Sequence, residues 1–263
     1  MKIAFIVQRY GTEILGGSEY HCRLIAEKMA LRHDVEVLTT CAQDYLTWKN
    51  EYPEGADRVR GVTVRRFANA QTRDIQSFNR YSDWIFNNPH TQADEMEWLQ
   101  RQGPWCPALL EYLEQHALNY EILIFFTYLY APTVLGIAIA PGRSILVPTA
   151  HDEPAIHLDL YRDVFSLPAG VAYNTDAERA FLRTTFNIRT VAEDTVGCGV
   201  EFLPRDLGDQ PKRGGRSRRR SSDRSRTADS GKRTDNGNGR GSHLRKRGAA
   251  FLRRHRLHGP VAL

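Results

Sequence analysis

The sequence predicts an α/β protein built on an open, doubly wound parallel sheet, with a disordered basic C-terminal tail appended. Three observations carry that expectation. Short apolar runs rich in β-branched residues recur along the first two hundred of 263 positions. Between them lie stretches with helical spacing of apolar residues, long enough to carry the chain back for parallel pairing. From about residue 204 the alternation stops, and Arg, Ser, Asp and Gly take over.

The elements follow in order. "KIAFIV" (2–7) is a near-continuous apolar run, as a strand covered on both faces requires. A loop with Gly11, Gly16 and Gly17 leads into a helix whose Cys22, Ile25, Ala26 and Met29 fall on one face. Ser18 is its expected N-cap, and Glu19 sits in the first turn, where the helix dipole favours an anion. "DVEVLTT" (34–40) and "GVTVRRF" (61–67) alternate as strands. Residues 68–118 read as mostly helical, with loops at "NNPHT" and "RQGPWCP". "YEILIFFT" (120–127) is the strongest strand, and "RSILVPTA" (143–150) and "AGVAYNT" (169–175) are two more. Thr175 and Glu178 have capping-box spacing at the head of a helix, and a short strand lies in "TVAEDTVGCGV". Six or seven strands are expected. The uncharged stretch 122–140 approaches membrane-spanning length, but Pro132 splits it, which favours a buried strand followed by a short helix.

The net charge of +5 is a sum of unlike parts. From Pro204 onward, 18 Lys and Arg face 5 Asp and Glu, which leaves 18 basic and 26 acidic residues, a net −8, for residues 1–203. An acidic domain offers no general attraction to a polyanion. Cys22, Cys41, Cys106 and Cys198 form no short pair, as expected for free thiols in a cytoplasmic protein. The N-terminus is too short in apolar residues for a signal peptide.

Two stretches carry chemistry. Gly16 and Gly17 stand directly before a helix, where backbone N–H groups and the helix dipole suit an anion, although the spacing is neither a P-loop nor G-x-G-x-x-G. His151, Asp152 and Glu153 follow a strand end on the same sheet edge, where a histidine beside carboxylates can carry a proton or bind a polyol hydroxyl. A zinc set of His151, His157 and Asp159 matches no recurring ligand spacing, so neither metal nor cofactor is expected.

Taken together, "GGSEYHCRLIAEKMALRHDVEVLTT", "VPTAHDEP", "YNTDAERAFL" and "VGCGVEFLP" resemble the N-terminal, Rossmann-like domain of a GT-B glycosyltransferase of the family-4-like retaining group. The resemblance spans roughly residues 1–207. It implies transfer of a sugar from a nucleotide-diphosphate donor to a glycan, lipid or small-molecule acceptor, with retention and without a metal. It assigns the donor phosphates to Gly16 and Gly17, and the transferred sugar or acceptor to His151. Asp152, Glu153 and Glu19 would orient His151 or bind acceptor hydroxyls. Membrane contact, where it occurs, would be peripheral, at the inner face.

The domains expected are 1–203, the glycosyltransferase unit, and 204–263, a low-complexity basic tail. The tail closes on "AAFLRRHRLHGPVAL", which resembles the start of the donor domain that a complete member carries next. A natural truncation and a reading-frame error both fit that pattern, and either leaves a chain inactive alone. The alternative function is a non-catalytic α/β module whose Arg-rich tail binds nucleic acid. With no aromatic residue before Phe251 the tail lacks a stacking platform, so such binding would be non-specific and salt-dependent.

Overall fold

The structure, a computed structural model, describes residues 1–190 and 192–200. The expectations for the basic tail fall outside the described residues. Eight strands form one sheet: β1 (Lys2–Ile6), β2 (Asp34–Thr40), β3 (Gly55–Val59), β4 (Val62–Phe67), β5 (Ile122–Phe126), β6 (Ser144–Val147), β7 (Gly170–Tyr173) and β8 (Ala192–Thr195). Their spatial order is β3-β4-β2-β1-β5-β6-β7-β8, and every pairing except β3 with β4 is parallel. The chain therefore winds one way from β1 through β2 to β4, and the other way from β5 to β8. The reversal lies between β1 and β5, where open α/β sheets form a crevice at the carboxyl ends of their strands.

Seven helices cover the sheet: α1 (Gly17–Met29), α2 (Ile75–Asn87), α3 (Gln92–Gln102), α4 (Pro107–His116), α5 (Ala131–Gly136), α6 (Tyr161–Ser166) and α7 (Asp176–Thr185). Alternate residues of the strands feed two cores. Ala4, Ile6, Leu38, Leu123, Phe125, Leu146 and Val171 pack with α2 to α7. Ile3, Phe5, Val37, Val64, Phe126 and Val147 pack with Cys22 and Ala26 of α1. Burial on both faces explains why β1 and β5 read as unbroken apolar runs. The uncharged stretch 122–140 resolves into β5 and α5, and no helix among the described residues is long and apolar enough to cross a membrane.

Two expectations need correction. The sheet has eight strands, because β3 escaped the sequence reading. Its "GADRV" is a polar edge strand with no apolar period, joined to β4 by Arg60 and Gly61. Both turn residues have positive φ, 48° and 87°, the geometry of a two-residue hairpin turn. Ser18 is not the N-cap of α1. Gly16 takes that place in extended conformation without a side-chain cap, and Ser18 instead donates its hydroxyl to Glu19 Oε2 at 3.0 Å. The helix start read at Thr175 and Glu178 holds: Thr175 caps α7, its Oγ1 accepting from the Glu178 N–H at 3.0 Å, and the Glu178 carboxylate also accepts the N–H groups of Asn174 and Ala150.

Candidate functional site

The loop between β1 and α1 is pinned from three sides. The guanidinium of the buried Arg66 donates to the Tyr10 carbonyl at 3.1 Å. The Tyr52 hydroxyl donates to Glu13 at 2.8 Å and lies so close to Gly11 that a Cβ there would stand 2.2 Å from it. Arg9 donates to Glu19 Oε1 from Nε at 3.0 Å and from Nη2 at 2.5 Å, and from Nη1 to the Gln43 carbonyl at 2.7 Å.

Gly16 is needed for this last arrangement. A Cβ on it would fall 2.2 Å from Glu19 Oε2, so glycine lets the carboxylate close down on the backbone. Glu19 is thus an internal partner of Arg9. Gly17 differs, since a Cβ there would meet nothing within 4 Å. Gly17 is exposed at the head of α1, Glu19 in the same turn is buried, and no side chain caps the helix. Beside it lies Gln8, 3% exposed, whose amide Nε2 donates to Ser18 Oγ at 3.4 Å. Its Oε1 has no partner among the described residues, and neither has Oγ1 of the buried Thr127 at the end of β5. A buried polar atom without a partner costs about 1–3 kcal/mol, so Gln8 Oε1, whose amide reaches Ser18 near the head of α1, suits a polar ligand.

The ends of β5 and β6 form the facing wall. The N–H groups of Thr127 and Tyr128 donate to the carbonyls of Val147 and Pro148, both at 2.9 Å, continuing the pairing past the strands. Thr127 and Thr149 have φ of 69° and 53°, left-handed conformations that a β-branched residue adopts at a cost of order 1–3 kcal/mol. Both lie at the carboxyl edge. His151 is 73% exposed there, with Nε2 3.7 Å from Glu153 Oε2. The other Glu153 oxygen accepts the hydroxyl of the buried Tyr128. His151 therefore faces a carboxylate that is itself oriented, an arrangement able to bind a hydroxyl. Asp152 lies apart from this pair and accepts from, or bonds to, His157 Nε2 at 2.8 Å.

Glu178 sets the position of the His151 loop. This carboxylate, 7% exposed, accepts the N–H of Ala150 and that of Asn174, both at 2.6 Å. It ties the strand ends of β6 and β7 together immediately before His151. Burial pushes its carboxyl above the usual value, while the backbone donors pull the other way. On α1, the buried His21 stands edge-on to Phe126 with ring centroids 5.6 Å apart, and burial lowers its pKa.

The structure thus brings Gly16, Gly17 and Glu19 to one side of the carboxyl edge, and His151 with Glu153 to the strand ends beyond it. Arg9, Gln8 and Tyr128 were missed by the sequence reading, and Glu178 was read only as a helix cap. The aromatic residues of "FFTYLYAP", directly after the strongest strand, were the one signal for Tyr128. Among the described residues no group of His, Cys, Asp and Glu could hold a metal ion.

No family model and no curated protein matches the chain. Among solved structures it is similar to Anabaena Alr3699/HepE in complex with UDP and glucose, at 18% identity and a TM-score of 0.44, over 79% of this chain and 48% of that one. It is also similar to sucrose-phosphate synthase from Thermosynechococcus elongatus, at 13% identity and a TM-score of 0.47, over 76% of this chain and 48% of that one. The chain spans about half the length of each.

Proposed function

We propose that the described residues form the acceptor-side half of a glycosyltransferase that moves a sugar, with retention, from a nucleotide-diphosphate donor to a hydroxyl acceptor. One observation carries the reading. At the reversal between β1 and β5, the uncapped head of α1 exposes Gly17 close to Gln8, which reaches Ser18 and whose buried Oε1 has no partner among the described residues. A helix N-terminus binds phosphate through its backbone N–H groups and its partial positive charge. In this reading the N–H groups of Gly16 and Gly17 take the donor diphosphate. His151 contacts the transferred sugar or the acceptor, held by Glu153 and Tyr128. Arg9 balances the Glu19 charge that would otherwise repel the phosphates. The family-4-like assignment rests on the order of sequence motifs.

Binding is the readout, because turnover in this reading needs a donor-side domain that is not among the described residues. UDP and GDP are expected to bind the chain about tenfold or more tighter than uridine and guanosine, a difference that helix-terminus phosphate contacts are large enough to supply. His151→Ala is expected to leave UDP binding unchanged and to weaken UDP-glucose. Equal affinity for nucleoside and nucleoside diphosphate would contradict the proposal.

A further inference from the structure

The segment that carries His151 is clamped at both ends by buried carboxylates. Glu178 holds its entry through the Ala150 N–H, and Glu95 of α3, 3% exposed, holds its exit. Glu95 Oε1 accepts the N–H of Asp159 at 2.9 Å, and Oε2 accepts that of Leu160 at 2.8 Å. The next residue, Tyr161, is fully buried, and its ring stands edge-on to Tyr128 with centroids 4.9 Å apart. Its hydroxyl donates to the Leu129 carbonyl at 2.8 Å. Tyr128 in turn holds Glu153, the carboxylate that faces His151. An unbroken run of contacts therefore leads from Glu95 to His151.

Glu95 has one more partner. His90, in the turn between α2 and α3, places Nε2 3.2 Å from Glu95 Oε1 and Nδ1 2.9 Å from the Asn88 carbonyl. Both partners are acceptors. A neutral imidazole has one N–H and can serve only one of them, whereas the imidazolium serves both. The geometry thus calls for a charged His90, and the Asn88 carbonyl and Glu95 hold its pKa above the ordinary 6.5. Asp94 adds its charge from the same turn of α3, with its carboxylate taken by the Thr91 N–H and hydroxyl. On the loop entering α6, Asp159 is paired with Arg162 at 2.7 Å.

We propose that Glu95 and His90 are positioning residues for the sugar side of the crevice, which hold Tyr161, Tyr128 and Glu153 in place behind His151, and that this hold is made with His90 protonated and relaxes as the pH rises. The inference rests on the glycosyl-transfer reading for what His151 touches, and the strut itself comes from the contacts. Below its folded pKa, His90 donates to Asn88 and Glu95 together. Above it, one of those bonds is lost, and Glu95 keeps only its backbone donors.

The test is a pH titration of the ¹⁵N-labelled full chain from about pH 5.5 to 8.5, read at the amides of Asp159, Leu160 and Glu153. A transition common to all three is expected, with a midpoint above 6.5. His90→Gln, at a side chain 24% exposed where the fold should tolerate it, should abolish that common transition. His157→Gln should leave it in place, although His157 lies in the clamped segment itself. Over the same range the affinity for UDP-glucose should fall about twofold to fivefold more in the unaltered protein than in His90→Gln, the size that an ion pair near the surface allows. The titration of His151 is shared by both proteins and cancels in that comparison. A transition that survives His90→Gln, or one that never reaches Glu153, overturns the proposal. So does a pH dependence of UDP-glucose binding that is the same in both proteins. The common transition without any UDP-glucose binding would sink the transferase reading and leave the strut standing.

Discussion

Glu178→Gln gives the sharpest test of how the His151 loop is held. The carboxylate accepts two backbone N–H groups, from Ala150 and Asn174, each at 2.6 Å. A glutamine keeps the shape but offers one oxygen, so its amide N–H₂ would face one of those donors. One charge-assisted bond becomes neutral, a loss of about 1 kcal/mol, and one buried N–H goes unpaired, a loss of about 1–3 kcal/mol. Relief from burying a charge, which burial already disfavours here, returns part of this. The net expectation is a loss of about 2 kcal/mol, or roughly 4–8 °C in Tm for a domain of this size. Denaturant unfolding measures the first figure. Hydrogen exchange at the Ala150 amide reads the local effect, which should be faster exchange. Glu97→Gln is the control, because its ion pair with Arg101 at 2.5 Å is half exposed and such pairs contribute about 0–1 kcal/mol. If Glu178→Gln matches that control in both stability and Ala150 exchange, the account of the loop fails.

Further outcomes follow from the same geometry. Gly16→Ala places a Cβ 2.2 Å from Glu19 Oε2 and must displace a buried ion pair, so a net loss of about 1–3 kcal/mol in denaturant unfolding is expected. Gly17→Ala meets nothing within 4 Å and should be neutral or stabilising by up to about 1 kcal/mol, while weakening UDP binding because the methyl enters the ligand's space. Gly11→Ala would drive a Cβ into the Tyr52 hydroxyl and should likewise lower the midpoint of unfolding. His21 has a folded pKa held below its ordinary 6.5 by burial, so the native chain binds fewer protons than the unfolded one just below that pH. Its contribution is fully present above pH 6.5 and is lost as the pH falls beneath it. His21→Gln should flatten that decline in unfolding curves taken from pH 7 to 5.

The strands and α1 were legible because burial imposes a period, and the period is local. Ile3, Phe5 and Val37 face one core and Ala4, Ile6 and Leu38 the other, which is why those runs read as strands covered on both sides. β3 was not legible, since a polar edge strand needs no apolar alternation and its hairpin depends on two positive φ angles. Capping residues were half legible. Thr175 and Glu178 mark a helix start correctly, yet the Glu178 carboxylate reaches Ala150, 28 positions earlier, and no local spacing encodes that. Ser18 failed as a cap because Gly16 allows Glu19 to close on the backbone and take its hydroxyl. Gly16, Gly17 and His151 could be singled out from strand-end position. Their supports Arg9 and Gln8 could not, because they depend on how the β1 loop folds back on the head of α1, and Tyr128 had only its aromatic neighbours to mark it.

The most direct measurement is a titration of ¹⁵N-labelled protein with UDP, followed by amide chemical shifts. The account predicts that the largest changes fall on Gly16, Gly17 and the adjoining Ser18 at the head of α1, with smaller ones at the Thr127 and Thr149 strand ends. It also predicts that Gly17→Ala diminishes those shifts without altering the rest of the spectrum. Saturable UDP binding whose shifts leave the first turn of α1 untouched would contradict the assignment of this crevice as the donor phosphate site.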